Sequence, residues 1–156
     1  MNPTIQHLSD RPACLEELVQ WYIREWAPWY GPGGGGDANA DLAACLNGAT
    51  LPLCLIAHDS HDRLVGTASL RRTSIGSDQF KGLWLSAVLV AESHRRQGIG
   101  TALIAGIEAQ AYRFHPEILY TSTDTADRLL GQRGWAPVGK TGSLRGDLTI
   151  WCLPRQ

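Results

Sequence analysis

Leu83-Trp84-Leu85-Ser86-Ala87-Val88-Leu89-Val90-Ala91-Glu92-Ser93-His94-Arg95-Arg96-Gln97-Gly98-Ile99-Gly100-Thr101-Ala102-Leu103 is the stretch that decides the fold. Its apolar run, Leu83–Val90, reads as a strand. A polar turn with Arg95, Arg96, Gly98 and Gly100 follows and opens into a helical pattern. The first amides of a helix have no partner inside it and sit at the positive end of its dipole. Glycine lets an anion come close to that backbone. The segment is therefore expected to be a strand feeding a phosphate cradle, and to imply a ligand that carries phosphate.

Working outward, Glu117–Thr123 reads as a further strand, Thr125–Arg133 as a short helix closed by Gly134, and Trp135–Val138 and Leu148–Leu153 as final strands. The helix after the turn is expected over Gly98–Phe114, stopped before Pro116. Upstream, Leu51–His58 and Arg63–Arg71 form an expected hairpin around Asp59–Asp62, and Thr73–Gly82 a polar loop. Leu15, Leu18, Val19, Tyr22, Ile23 and Trp26 keep helical spacing, with Pro12 before and Pro28 after. The glycine-rich run Gly31–Gly36 reads as a mobile loop, and a short helix is expected from Asp37 or Asn39 to about Leu46. Thr4–His7 is a weak strand. With no repeat, linker or change of composition, the expectation is one α/β (α+β) domain over residues 1–156.

The chain has 156 residues, 44% of them hydrophobic, and a net charge of −1, which suits a globular protein without a broad nucleic-acid surface. No apolar run approaches the roughly 20 residues of a membrane helix, and the first residues lack the layout of a signal peptide. Cys14, Cys45, Cys54 and Cys152 form no metal-ligand spacing, so free thiols in a cytoplasmic protein and no metal are expected. Cys54 is an open but unmarked nucleophile.

Gly134–Thr141 fits the nucleotide-binding pattern GxxxxGK[ST] letter for letter. The mechanism of that motif needs a strand before it and a helix after it; here a helix precedes it and a β-like tail follows. Gly98-x-Gly100-x-x-Leu103 is a partial dinucleotide fingerprint, lacking the third small residue. Both are discounted.

Arg95-x-x-Gly98-x-Gly100 gains weight from its setting, a strand before, a helix after, and a second strand–helix pair ending in Gly134-Trp135. In that setting the chain resembles the GNAT superfamily of N-acetyltransferases. Their signature is Arg/Gln-x-x-Gly-x-Gly/Ala between strand and helix, and Val88-x-Val90 is similar to their central strand. Thr123-x-x-Ala126 through Leu129 and Gly134-Trp135 is similar to their later strand–helix–Gly-aromatic segment, with Thr123 where Asn is common. The resemblance spans roughly residues 50–153. It implies a mixed, mostly antiparallel sheet flanked by about four helices, with splayed central strands forming an acyl-CoA cleft.

The resemblance also implies acetyl-CoA (coenzyme A), with its pyrophosphate on the turn and its pantetheine arm along the central strand. The residues carried over are Val88, Leu89, Val90, Arg95, Arg96, Gln97, Gly98, Ile99, Gly100, Thr101 and Thr123. Relatives often place a Glu or His base on the central strand; the matching positions are Trp84 and Ser86. Their usual general-acid tyrosine matches Leu130. The chain departs from the pattern at both places. Ser86 or Asp124 is left to hold a water that relays protons, with proximity supplying about 7–11 kcal/mol. The alternative is a non-catalytic acyl-CoA-binding domain of the same fold.

The family places its acceptor over the first two helices and their connection, here near Glu25, Trp26, Trp29 and Tyr30. The acidity of Glu25, Asp37 and Asp41 against Arg24 suits an ammonium group. The acceptor expected is a primary amine of a small molecule or a peptide N-terminus. Relatives often form homodimers, and no segment here marks an interface. His94 reads as a turn residue.

Overall fold

A computed structural model describes residues 2–48 and 50–154. Seven strands form one sheet in the order β1-β2-β3-β4-β5-β7-β6. They are β1 (Thr4–His7), β2 (Leu53–His58), β3 (Leu64–Arg71), β4 (Leu83–Val90), β5 (Ile118–Thr123), β6 (Ala136–Ser143) and β7 (Gly146–Pro154). Every neighbouring pair is antiparallel except β4 and β5. The helices are α1 (Leu15–Glu25), α2 (Ala38–Ala43), α3 (Ile99–Ala111) and α4 (Asp127–Gln132). This is the mixed α+β architecture expected from the sequence.

The sheet separates two cores. On one face Leu53, Leu55, Leu83 and Leu85 pack with Ile99, Leu103, Ile104 and Ile107 of α3 and Leu130 of α4. On the other, Cys54, Ile56 and Leu64 pack with Leu18, Trp21 and Tyr22 of α1 and Leu42 of α2. The alternation of β2 between the faces is the two-residue period of a strand. Helix α3 lies very close to the sheet: a Cβ on Gly66 would stand 2.8 Å from Leu103 Cδ1, and one on Gly106 2.9 Å from Leu55 Cδ1.

Local chemistry sets the boundaries. Glu16 and Glu17 lie in the first turn of α1 and Arg24 in its last, each favourable to the helix dipole. The Asp37 side chain accepts from the Ala40 amide at 3.0 Å and starts α2. That helix is shorter than expected and ends at Ala43, because the amides of Cys45 and Leu46 bond three residues back and tighten the last turn. Strand β2 starts at Leu53 rather than Leu51, after Pro52, which has no amide to donate. Helix α3 stops at Ala111, and a 3-10 turn over Tyr112–Phe114 covers the remainder of the expected helix.

A further expectation is corrected. The last strands are longer than the sequence suggests: β6 and β7 form one hairpin that pairs through Gly142 and Gly146 and turns at Leu144-Arg145. Gly146, at φ +121, serves the turn, and Gly142 sits on an open edge with nothing near its missing Cβ. The run Gly31–Gly36, expected to be a mobile loop, is a loop that packs on Trp29. The Gly36 amide bonds the Trp29 carbonyl at 2.9 Å, and Cβ atoms on Gly35 and Gly36 would stand 2.8 and 2.4 Å from the indole. These glycines permit a close approach of backbone to ring.

Candidate functional site

Strands β4 and β5 pair only through Leu83↔Leu119 and Trp84↔Tyr120. Beyond that point β4 continues to Val90 and β5 to Thr123, and β5 keeps its partner β7 as far as Thr123↔Thr149. The sheet is therefore forked. At the fork the Thr121 hydroxyl donates to the Leu85 carbonyl at 2.8 Å, a side-chain bond where the ladder ends.

The β4 side of the fork carries a bulge. Ser69 faces Ser86 and Thr67 faces Leu89, so β4 has one residue more than β3 in this interval. Ala87 takes up the extra residue at φ +56. The bulge exchanges the faces of the strand. Leu83 and Leu85 point to the α3 core, as do Val88 and Val90, whereas Ala87, Leu89 and Ala91 point to the α1 core. Leu89 and Val90 remain paired with Thr67 and Gly66 of β3, and their other backbone edge faces the fork.

The turn Arg95–Thr101 continues from this strand. Arg95, Arg96, Gln97 and Gly98 are exposed. Arg96 and Gly98 adopt left-handed backbone, φ 64 and 82, and nothing lies within 4 Å of a Cβ placed on Gly98. The first bond closing α3 runs from the Ala102 amide to the Gly98 carbonyl at 3.0 Å. Among the described residues, the amides from Arg96 to Thr101 meet no acceptor outside the helix. Amides left open at the positive end of a 13-residue helix are a setting that favours an anion. Arg95 turns its Nε back to the Val90 carbonyl at 3.1 Å and braces the turn. The Ile99 side chain is core, so only its amide is available to a ligand. Gly100 packs beside Leu129 and Val90.

Of the residues read as catalytic, Ser86 lies on β4 just past the last β5 pair, on the face shared with Trp84. Its hydroxyl accepts from Ser74 at 3.4 Å. Trp84 is fully buried, stacked on Tyr120 with centroids 5.3 Å apart, and donates Nε1–H to the Phe80 carbonyl. Asp124 is exposed on the turn after β5. Thr123 accepts the amides of Thr125 and Ala126 at 3.1 and 3.2 Å, which spends its lone pairs on the turn into α4. Leu130 is 1% exposed in the α3 core, so no proton donor stands at that position. Cys54 is fully buried, its thiol pushed up by desolvation and 3.1 Å from Thr67 Oγ1. It is a packing residue, not a nucleophile.

The residues read as acceptor-binding lie together but differ in exposure. Trp26 packs edge-on against Tyr22 at 5.0 Å. Tyr30 donates to Asp41 Oδ2 at 2.5 Å, and burial followed by this bond pushes its phenol up. Trp29 is 47% exposed above the glycines. The Glu25 carbonyl accepts from Arg145 at the tip of the β6–β7 hairpin, so that tip reaches α1. Beneath them the buried Tyr22 hydroxyl lies 3.3 Å from Ser69 Oγ.

Sequence reasoning missed Thr121, Ser69, Tyr22's hydroxyl and Ser74, because each acquires its role from a partner in another element. Lys140 and Thr141 lie on β6, paired with Thr149 and Leu148. The nucleotide-like letters around them thus have no helix to follow, and no phosphate loop forms.

The family model for the acetyltransferase (GNAT) family matches residues 15–130. Solved structures of similar shape include an aminoglycoside 6'-N-acetyltransferase complexed with coenzyme A, 16% identical, covering 98% of this chain and 99% of that one at a TM-score of 0.71. A ribosomal-protein-alanine N-acetyltransferase from Brucella melitensis is 19% identical, with 97% and 99% covered and a TM-score of 0.73. The NatC complex bound to Gag peptide and CoA is 15% identical, with both chains covered 100% and a TM-score of 0.75. A search of the curated proteins finds no match. The low identities speak for the fold; the matched family model, with the forked sheet and the open turn, shows that the chain belongs to the acetyltransferase (GNAT) family.

Proposed function

We propose that this protein transfers the acetyl group of acetyl-CoA directly to a primary amine, borne by a small molecule or a peptide N-terminus. The observation that carries the reading is the parting of β4 from β5 on the strand that runs into the exposed Arg95–Thr101 turn. The residues fit the donor. Open amides at Arg96–Thr101, left-handed Arg96 and Gly98, and free space at Gly98 suit a diphosphate. The fork-facing backbone edge of Val88–Val90, whose Val90 carbonyl already accepts from Arg95, suits the amide-bearing arm. Among the described residues no helix is long and apolar enough to cross a membrane, and the thiols are free, which fits a reducing compartment such as the cytoplasm.

When bound, acetyl-CoA supplies a thioester, whose thiolate leaves without a strong acid. The chain's residues hold, aim and deprotonate. The bulge at Ala87 directs backbone amides of β4 into the fork, and one such donor at a developing oxyanion is worth about 2.7–4 kcal/mol. An alkyl ammonium must lose a proton before attack. Ser86 and Asp124, on the two lips of the fork, hold the water that carries this proton away. Glu25, Trp26, Trp29 and Tyr30 border the acceptor's approach.

Calorimetry with acetyl-CoA, followed by thiol release over a panel of amines, tests the proposal. Binding with acceptor-dependent release supports it. Binding without release from any amine supports the non-catalytic reading, which the buried leucine at position 130 favours. Absence of acetyl-CoA binding overturns both.

A further inference from the structure

The open Arg95–Thr101 turn is anchored at its two ends and loose between them. Downstream, the Ile99 side chain is buried in the α3 core. In the middle, Arg96, Gln97 and Gly98 are exposed. Among the described residues, Arg96 and Gln97 have no hydrogen-bond partner. Arg96 nevertheless holds a left-handed backbone at φ 64, which a side chain disfavours. Such a conformation persists only where the surroundings fix it. The upstream anchor therefore matters.

That anchor is a docking of residues 91–94 on the β2–β3 hairpin. The Ala91 amide donates to the Val65 carbonyl, and the His94 amide to the Ala91 carbonyl, each at 2.8 Å. The His94 ring then reaches across to the turn between β2 and β3. Its Nε2 lies 3.2 Å from Asp59 Oδ2, with the two side chains 15% and 3% exposed. Asp59 is the fixed end of this contact. It accepts the amides of His61 and Arg63 at 2.9 Å each and Arg63 Nε at 2.8 Å. Its own amide donates to the Arg63 carbonyl at 3.0 Å.

These donors, the Arg63 amide foremost, keep the Asp59 carboxyl ionised, at about 2. An ionised carboxylate only accepts, so His94 carries a proton on Nε2. In the neutral ring Nδ1 is then bare and accepts from the Ser93 hydroxyl at 2.8 Å. A chain of two bonds, Ser93 to His94 to Asp59, ties the residues just before the turn to a knot in the neighbouring hairpin.

We propose that Asp59 is a positioning residue for acetyl-CoA, acting through His94 to hold the Arg95–Thr101 turn in place before a diphosphate arrives. A cradle ordered in advance binds without losing free energy to its own ordering. This inference rests on the acetyltransferase reading.

The two nitrogens of His94 can be tested apart. Glutamine sets an amide nitrogen near the place of Nε2, and asparagine near that of Nδ1. His94→Asn is expected to raise the Kd for acetyl-CoA about tenfold, the order of a hydrogen bond to a charged group, and His94→Gln to keep most of the wild-type affinity. Asp59→Asn is expected to weaken binding as His94→Asn does, and to add no further loss in the His94→Asn background, because the two act as one unit. Calorimetry below the unfolding midpoint of every variant reads these values. Hydrogen exchange over residues 93–98 without cofactor is expected to quicken in His94→Asn and Asp59→Asn but not in His94→Gln.

A purely structural role would lower the unfolding midpoint without this order of affinities. Unchanged affinity in His94→Asn, equal losses in the Asn and Gln variants, or additive losses in the double variant overturn the proposal and leave the acetyltransferase reading standing. If His94→Asn does not fold, Asp59→Asn against His94→Gln gives the same comparison from the other end of the bond. A wild type that binds no acetyl-CoA overturns both readings together.

Discussion

Thr121 of β5 donates its hydroxyl to the Leu85 carbonyl of β4 at 2.8 Å, at the point where the two strands part. The bond closes one end of the cleft and lets the rest stay open. Thr121→Val keeps the shape and leaves a buried carbonyl without its donor. A stability loss of about 1–3 kcal/mol is expected, measured by urea denaturation. Thr121→Ser, which retains the hydroxyl, is expected to lose less; equal losses would contradict the role given to the bond.

Gly98 has room for a side chain but not the backbone angle for one. Gly98→Ala is expected to cost about 1–2 kcal/mol through the left-handed conformation. Gly98→Glu adds a negative charge beside the open amides, and is expected to weaken acetyl-CoA binding at least about tenfold beyond Ala, the order of a charged hydrogen bond. Calorimetry on the folded variants separates the two effects, and equal affinity in both would displace the diphosphate from this turn.

Ser86→Ala is expected to lower kcat about tenfold or more while leaving acetyl-CoA affinity and stability unchanged, since a positioned proton path contributes to the chemical step. Unaltered kcat over pH 6–9 would remove Ser86 from that path.

Leu130, which the family resemblance sets where relatives carry a tyrosine, is packed in the core. Leu130→Ala is expected to cost about 2–5 kcal/mol and Leu130→Tyr about 1–3 kcal/mol by overpacking. Thermal unfolding checks both; a fully stable tyrosine variant would show that the position opens to the cleft.

Asp59 accepts the amides of His61 and Arg63 at 2.9 Å each and the Arg63 Nε at 2.8 Å, and these donors hold its carboxyl down at about 2. A carboxyl depressed in the folded state lends stability that is complete above its ordinary value, near 3.9, and is lost as pH falls towards 2. Denaturation midpoints of Asp59→Asn are expected to depend less on pH over 5 to 2 than those of the wild type. Parallel profiles would remove Asp59 from the acid response.

What the sequence determined by itself is local. Alternating apolar residues, prolines, a capping Asp37 and the glycines of the Arg95–Thr101 turn announce strands, helices and an open turn at a helix start, because each acts within a few residues of chain. Boundaries erred where pairing overrode composition, as in the β6–β7 hairpin drawn through Gly142 and Gly146. The closeness of the glycine run to Trp29 was hidden for a related reason, since it is a contact and not a composition. Only the tertiary structure decided the fork between β4 and β5, the exchange of faces at Ala87 and the burial of Leu130. Each depends on which distant residue arrives opposite, and that is settled when the strands take their register and the two cores close.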